Sequence, residues 1–141
     1  MERNLGRVLA QGRWVRTHGE VRAIRLSFTP HLVPMTRGIL LTAEAEVKGA
    51  WSQEALEALY RDFYAGEPFV RVLEGLPETK GTCASNRVDL KPLYEERTGK
   101  VLVFAALDNL GKGMAGQAVQ NLNLMLGFPE ETALPKEGLW P

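Results

Sequence analysis

Residues 101–127 read VLVFAALDNLGKGMAGQAVQNLNLMLG, and the fold turns on how this stretch is read. Val101 to Leu107 is apolar on both faces, which predicts a strand with neighbours on either side inside a sheet. Past Asp108 and Asn109 the spacing becomes that of a helix beginning near Gly113 and stopped by Gly127 and Pro129. Gly111, Gly113 and Gly116 satisfy G-x-G-x-x-G in the strand-then-helix context of a dinucleotide fingerprint. The residues beyond the glycines do not fit that reading. A Rossmann unit needs a second parallel strand and an acidic residue about 20 positions on, and only FPEETALPKEGLWP remains. Nor is this a phosphate loop, because Gly113 stands where Ser or Thr should come after Lys112. Gly113, Ala115, Gly116 and Ala118 nevertheless strip the first helical turns of side chains. Close packing on a sheet explains this, and so does a ligand approaching the unpaired N–H groups.

Outward from this stretch, residues 87–93 read as the preceding strand, joined through EERTGK, where Gly99 supplies the positive φ of a hairpin. Residues 69–73 read as another strand. A helix over 52–65 opens on Ser52 as N-cap, with Ala55, Leu56, Leu59, Tyr60 and Phe63 on its buried face and Glu57 four residues before Arg61 on the wet one. Residues 39–47 alternate, Ile39, Leu41, Ala43, Ala45 and Val47 against Thr42, Glu44 and Glu46. Residues 21–28 read as a further strand and 2–11 as a weak amphipathic helix. Strands clustered around one long helix, without βαβ alternation, predict a single α+β domain over 1–141. Its sheet is mostly antiparallel or mixed with helices on one face, and 111–127 form the C-terminal helix.

The 141 residues are 45% hydrophobic, enough for one domain with a core. Seventeen basic residues balance seventeen acidic ones along the chain, so nothing marks a nucleic-acid or anionic-membrane partner. No apolar run approaches the roughly 20 residues of a membrane span, and a cytoplasmic location is expected. One cysteine, Cys83, and two distant histidines give no metal-site spacing, so no metal is expected.

The segment SFTPHLVPMTRG, residues 27–38, places His31 between Pro30 and Pro34, with Arg37 close behind. On residues alone, His31 reads as a turn or carbonyl partner, and Arg37 as either a solvated cation or a planar fork for a carboxylate or phosphate. Ser85 and Asn86 suit a turn. An Asx-turn closing the strand accounts for Asn109.

Four blocks carry a resemblance: SFTPHLVPMTRGIL, LYRDFYAGEPFVRVL, CASNRVDL and VFAALDNLGKGMAGQAVQNLNLMLGFPEETAL. In order and spacing they resemble the C-terminal half of the N-acetyl-gamma-glutamyl-phosphate reductase family. The resemblance implies a glyceraldehyde-3-phosphate dehydrogenase-like C-terminal domain for catalysis and dimerisation, whose last helix packs on an NADP-binding domain. It also implies a fragment, inactive alone, because the nucleotide domain and the family's nucleophilic cysteine in a GCY-type stretch are absent from these 141 residues. Cys83 is not that cysteine and is read as a packing thiol.

In that chemistry a thiolate attacks an acyl phosphate, phosphate leaves, and hydride from NADPH reduces the resulting thioester through a tetrahedral intermediate. The resemblance makes His31 the proton-transfer group. It makes Ser85 and Asn86 a substrate-lining pair, beside which Arg37 would serve as the fork for a substrate carboxylate or phosphate, and sets Asn109, Gly113, Met114 and Ala115 against the nicotinamide end of NADP. Partners implied are the small-molecule acyl phosphate and further copies of the chain in a homo-oligomer. Two alternatives stand: the sister reductase acting on N-acetyl-aminoadipyl phosphate, one methylene longer, and a non-catalytic dimerisation module. Finally, Met114, Val119, Leu122, Met125 and Leu126 form an apolar stripe on the last helix that needs cover.

Overall fold

Leu107 faces Ile39 on one side and Val88 on the other, so the strand read as interior does lie between two antiparallel neighbours. The computed structural model describes residues 15–17, 20–22 and 27–139. It divides into two compact units, Met1–Pro34 and Met35–Pro141. In the first, β1 (Val15–Thr17) pairs antiparallel with β2 (Glu20–Arg22). Of the strand expected over 21–28, Val21 and Arg22 lie in β2 and Ser27 and Phe28 carry no strand, while 23–26 lie outside the described residues. The helix expected over 2–11 lies outside them too.

The second unit holds β3 (Ile39–Glu46), α1 (Gln53–Phe63), β4 (Val70–Val72), α2 (Thr79–Thr82), β5 (Val88–Glu95), β6 (Lys100–Leu107) and α3 (Gly116–Leu126). Its sheet runs β3-β6-β5-β4, antiparallel except for the β4–β5 pair. This is the mixed sheet of an α+β fold. Gly99, at φ 67, turns β5 into β6 as the hairpin reading required. Register sorts the residues by face. Val101, Val103, Ala105 and Leu107 share a side with Ile39, Leu41, Ala43 and Ala45 and with Val88, Leu90, Pro92 and Tyr94. The other side carries Thr42, Glu44 and Glu46 opposite Phe104, Leu102 and Lys100, so charge collects there. Burial is deepest on the central strands, at Leu90, Val101, Ala105 and Ala106, whereas Ile39, Leu40 and Leu41 on edge strand β3 stay exposed.

Helix α1 starts as the sequence required, with Ala55 N–H donating to Ser52 Oγ at 3.2 Å. Its buried face is narrower than expected. Leu56 is buried, but Ala55, Leu59 and Phe63 are exposed and Tyr60 is half-buried. The helix lies along the rim of β5, so only one side of its apolar stripe meets the sheet. Polar contacts fix it there. Beyond Leu90, where β4 has run out, Gln53 Nε2 donates to Pro92 O at 3.0 Å and Gln53 Oε1 accepts from Tyr94 N–H at 2.8 Å. One side-chain amide thereby stands in for the missing strand. Glu57, expected to pair with Arg61, has its nearer partner in Lys91, at 2.5 Å against 3.5 Å. Gln53→Ala is expected to cost about 1–2 kcal/mol, two exchanged hydrogen bonds at a partly exposed edge, measurable by urea unfolding.

Helix α3 is inverted. The residues it buries are Gly116, Gln120 and Asn123, while Leu122, Leu124, Met125 and Leu126 are exposed, Met125 by 82%. Its polar face grips the tail: Asn123 Nδ2 donates to Glu130 O at 3.1 Å and to Thr132 O at 2.9 Å, and Gln120 Nε2 donates to Glu130 Oε1. Every residue of the stripe needing cover, Met114 through Leu126, is open to solvent within this chain or on the margin of it. Gly127, at φ 73, closes the helix. No helix among the described residues is long and apolar enough to cross a membrane.

Candidate functional site

The pairing of Ile39 with Leu107 brings the residues just before β3 alongside those just after β6. Two consecutive side chains there hold two consecutive residues. Asp108 meets Arg37, with Oδ2 2.6 Å from Nε, and Asn109 Oδ1 accepts the N–H of Gly38 at 2.8 Å. Gly38 tolerates nothing larger, because its φ is +112 and a Cβ would stand 2.8 Å from Thr79 Cβ. The backbone that carries Arg37 is therefore fixed by Asn109 on one side and α2 on the other.

Asp108 is fully buried and both its oxygens are engaged. Oδ1 accepts from Leu110 N–H at 2.8 Å and Gly111 N–H at 2.7 Å, and Oδ2 accepts from Ala84 N–H and faces Arg37 Nε. The Arg37 contact is an ion pair, since its Nε–H is not aligned on any acceptor. Burial alone would raise the Asp108 carboxyl. The N–H groups of Gly111 and Ala84, the Arg37 guanidinium and the Leu110 N–H outweigh it and hold the group below its ordinary value. Ala84, whose N–H is held there, sits at φ 60, a left-handed conformation that a non-glycine residue adopts only under constraint.

Arg37 presents its other end outward. Its Nε is buried while the side chain as a whole keeps 36% of its surface, and no partner among the described residues takes its two Nη groups. Such a fork suits a planar carboxylate or the oxygens of a phosphate.

The chain leaves β6 through a π-helical turn over Gly111–Ala115, not directly into an α-helix near Gly113. The glycines serve close packing. A Cβ on Gly111 would lie 2.7 Å from Ser85 O, and one on Gly116 would lie 2.1 Å from Asn86 Oδ1 and 2.9 Å from Gly111 O. The turn therefore presses against the 85–86 loop, where the packing reading of the fingerprint-like glycines expects a sheet. Of those three glycines only Gly113 meets strand side chains, where a Cβ would lie 3.2 Å from Leu107 Cδ1 and 3.7 Å from Ile39 Cδ1. π-turns recur beside functional sites.

The residues expected to contact substrate and cofactor divide accordingly. Ser85 and Asn86 are each 1% exposed and bonded inward: Ser85 Oγ donates to Thr82 O at 2.8 Å, and Asn86 Nδ2 donates to Gln120 Oε1 at 3.0 Å. Lys112 Nζ joins the same acceptor at 2.6 Å and sits over the Phe69 ring at 5.4 Å from its centroid. Burial lowers the Lys112 ammonium from its ordinary value, and Glu130 and Glu67 oppose that. Gly113, Met114 and Ala115 are exposed at the turn. Asn109 spends its oxygen on Gly38, while no described residue partners its Nδ2. His31 belongs to the first unit, in an exposed stretch without helix or strand, and Cys83 is half-buried at the end of α2. Among the described residues no three His, Cys, Asp or Glu side chains gather to hold a metal.

Asp108 escaped the sequence reading, although a signal was there. An aspartate ending a strand before Asn-Leu-Gly invites an Asx-turn to the N–H groups two and three residues on. The Asx-turn considered for Asn109 is made one residue earlier.

A mixed sheet with an exposed apolar edge, closed by a glycine turn and an inverted helix, is an arrangement suited to assembly with further protein. Residues 14–109 match the family described as semialdehyde dehydrogenase, dimerisation domain, and the chain belongs to that family. Over all 141 residues it is 89% identical to N-acetyl-gamma-glutamyl-phosphate reductase of Thermus thermophilus, of which it covers 41%. It is 53% identical over 120 residues to the protein of that name from Desulforamulus reducens, which takes in 84% of this chain and 35% of the relative. With the one from Pelotomaculum thermopropionicum it shares 42% over 143 residues, all of this chain and 38% of the relative.

Proposed function

We propose that the chain is the dimerisation portion of an NADP-dependent reductase converting N-acetyl-glutamyl 5-phosphate to N-acetyl-glutamate 5-semialdehyde, acting in arginine biosynthesis in the cytoplasm. The identity of 89% with the Thermus thermophilus reductase carries this reading. The chain spans 41% of that relative's length, and this reading assigns the nucleophilic cysteine and the nucleotide fold to the part outside these 141 residues. The open apolar faces of α3 and β3 support the same reading, since they offer surface for that part and for a second copy of the chain.

In this proposal Arg37 grips an oxyanion of the acyl-phosphate substrate. His31, on a loop stiffened by Pro30 and Pro34, takes the proton from the attacking thiol and returns one to the reduced carbon's oxygen. Ser85 and Asn86 serve from beneath, fixing the wall against which the glycine turn rests. The exposed Gly113–Ala115 stretch, bare of bulky side chains apart from Met114, and Nδ2 of Asn109, unpartnered among the described residues, fit a nicotinamide carboxamide, and these residues would hold that end of NADP. When bound, NADPH supplies the hydride.

Mixing the chain with a separately produced nucleotide-binding portion of the relative, then following NADPH oxidation with acyl phosphate, tests this. Activity restored by the wild-type chain and reduced by at least 100-fold with His31→Ala, the scale of general acid–base catalysis, is the expected result. A stable complex without activity refutes the catalytic reading and leaves a dimerisation module.

A further inference from the structure

We propose that Asp108 is a positioning residue, which holds Arg37 by Nε so that the two Nη groups face outward as a two-pronged seat for an oxyanion. This rests on the reading of Arg37 as the oxyanion grip. A free arginine side chain visits many rotamers, and ordering one costs conformational entropy. Here much of that ordering is already done. Nε is buried against Oδ2 of a carboxylate that cannot itself move, because three backbone N–H groups from two segments also end on it. The next residue is fixed too, by Asn109 on the Gly38 N–H. The carboxylate thus sets the direction of the fork, and the peptide donors share its charge, so that it does not simply neutralise the guanidinium. Functional groups held in this way bind more tightly and in one orientation.

Nuclear magnetic resonance of the arginine Nε–Hε group on the 141-residue chain tests the assignment. Two probes separate the sources of the oxyanion: acetyl phosphate carries an acyl phosphate and no carboxylate, whereas N-acetylglutamine carries a carboxylate and no phosphate. In the wild-type chain the Arg37 Hε exchanges slowly, and one probe shifts it saturably. Asp108→Asn, which keeps the shape and loses the charge, weakens that probe at least tenfold with the other amide signals in place, and Arg37→Lys abolishes its binding. If neither probe binds the wild-type chain, the grip reading fails and the positioning role with it. If Asp108→Asn binds within twofold of wild type while Arg37→Lys does not bind, the positioning role alone is overturned. Should Asp108→Asn not fold, Hε exchange in the wild type decides: protection supports the clamp, and exchange as fast as in free arginine refutes it.

Discussion

Asp108→Ala is expected to lower the unfolding free energy by about 3–5 kcal/mol. The cost comes from the backbone. Three N–H groups, of Ala84, Leu110 and Gly111, lose their acceptor together in a place where the carboxylate is fully buried, and each orphaned buried donor costs about 1–3 kcal/mol. The ion pair adds little to this sum, because the Arg37 side chain is 36% exposed and its charge is screened by solvent. The dependence on pH has a definite sign. The folded carboxyl titrates below its ordinary value of 3.8, so its electrostatic contribution is whole above that pH and is lost as pH falls through the folded value. Urea unfolding of wild type and variant should show a gap that is constant from neutral pH down to the carboxylate range and narrows below it. A gap under about 1 kcal/mol at neutral pH, the worth of one ordinary hydrogen bond, would contradict the assignment of Asp108 as the buried organiser.

Gly116→Ala comes second, at about 3–4 kcal/mol from overpacking and one broken buried hydrogen bond. Alanine normally stabilises a helix relative to glycine by about 1 kcal/mol, so propensity and packing make opposite predictions here. Packing wins. The new methyl would lie 2.1 Å from Asn86 Oδ1 and 2.9 Å from Gly111 O, and one of those neighbours is backbone that cannot swing aside. Asn86 would have to yield, and with it the bond of its Nδ2 to Gln120, which also receives Lys112. The glycine at 127 provides a control, since no atom lies within 4 Å of a Cβ placed there and its φ of 73 alone opposes substitution. Thermal unfolding of Gly116→Ala that matched wild type would show that the glycine turn does not rest on the 85–86 loop.

The sheet was legible in the sequence because its signal is local and repeated. Val101 to Leu107 advertised a central strand by having no polar side, and residues 39–47 advertised a strand by alternation, whose place at the edge with both faces exposed came only from the structure. Helix caps were legible for the same reason, Ser52 at one helix and Gly127 at another. What periodicity does not encode is which side of an amphipathic helix the chain buries. On α1, Leu59 and Phe63 were expected inside and lie outside, and on α3 the polar Gln120 and Asn123 are the buried residues. An apolar stripe records that something covers it, and in a domain that works within a larger assembly the cover need not come from the same chain. The site was legible in part for a related reason. Arg37 and Asn109 were marked by residue type and by resemblance, yet the contact that joins their neighbourhoods depends on the register of β3 against β6, which aligns residues 71 positions apart. Asp108 drew no attention because its partners are mostly peptide N–H groups, which every residue but proline possesses.

Hydrogen exchange of the Ala84, Leu110 and Gly111 amides tests most directly whether one buried carboxylate organises this corner. Two of these groups lie in a tight turn and the third in a strained loop, so without a common acceptor they would exchange at the rates of exposed loops. They should instead be protected to a similar degree, comparable with the β6 amides, and lose that protection together in Asp108→Ala. Rapid exchange of Ala84 in the wild-type chain, or loss of protection at Leu110 and Gly111 alone in the variant, would contradict it.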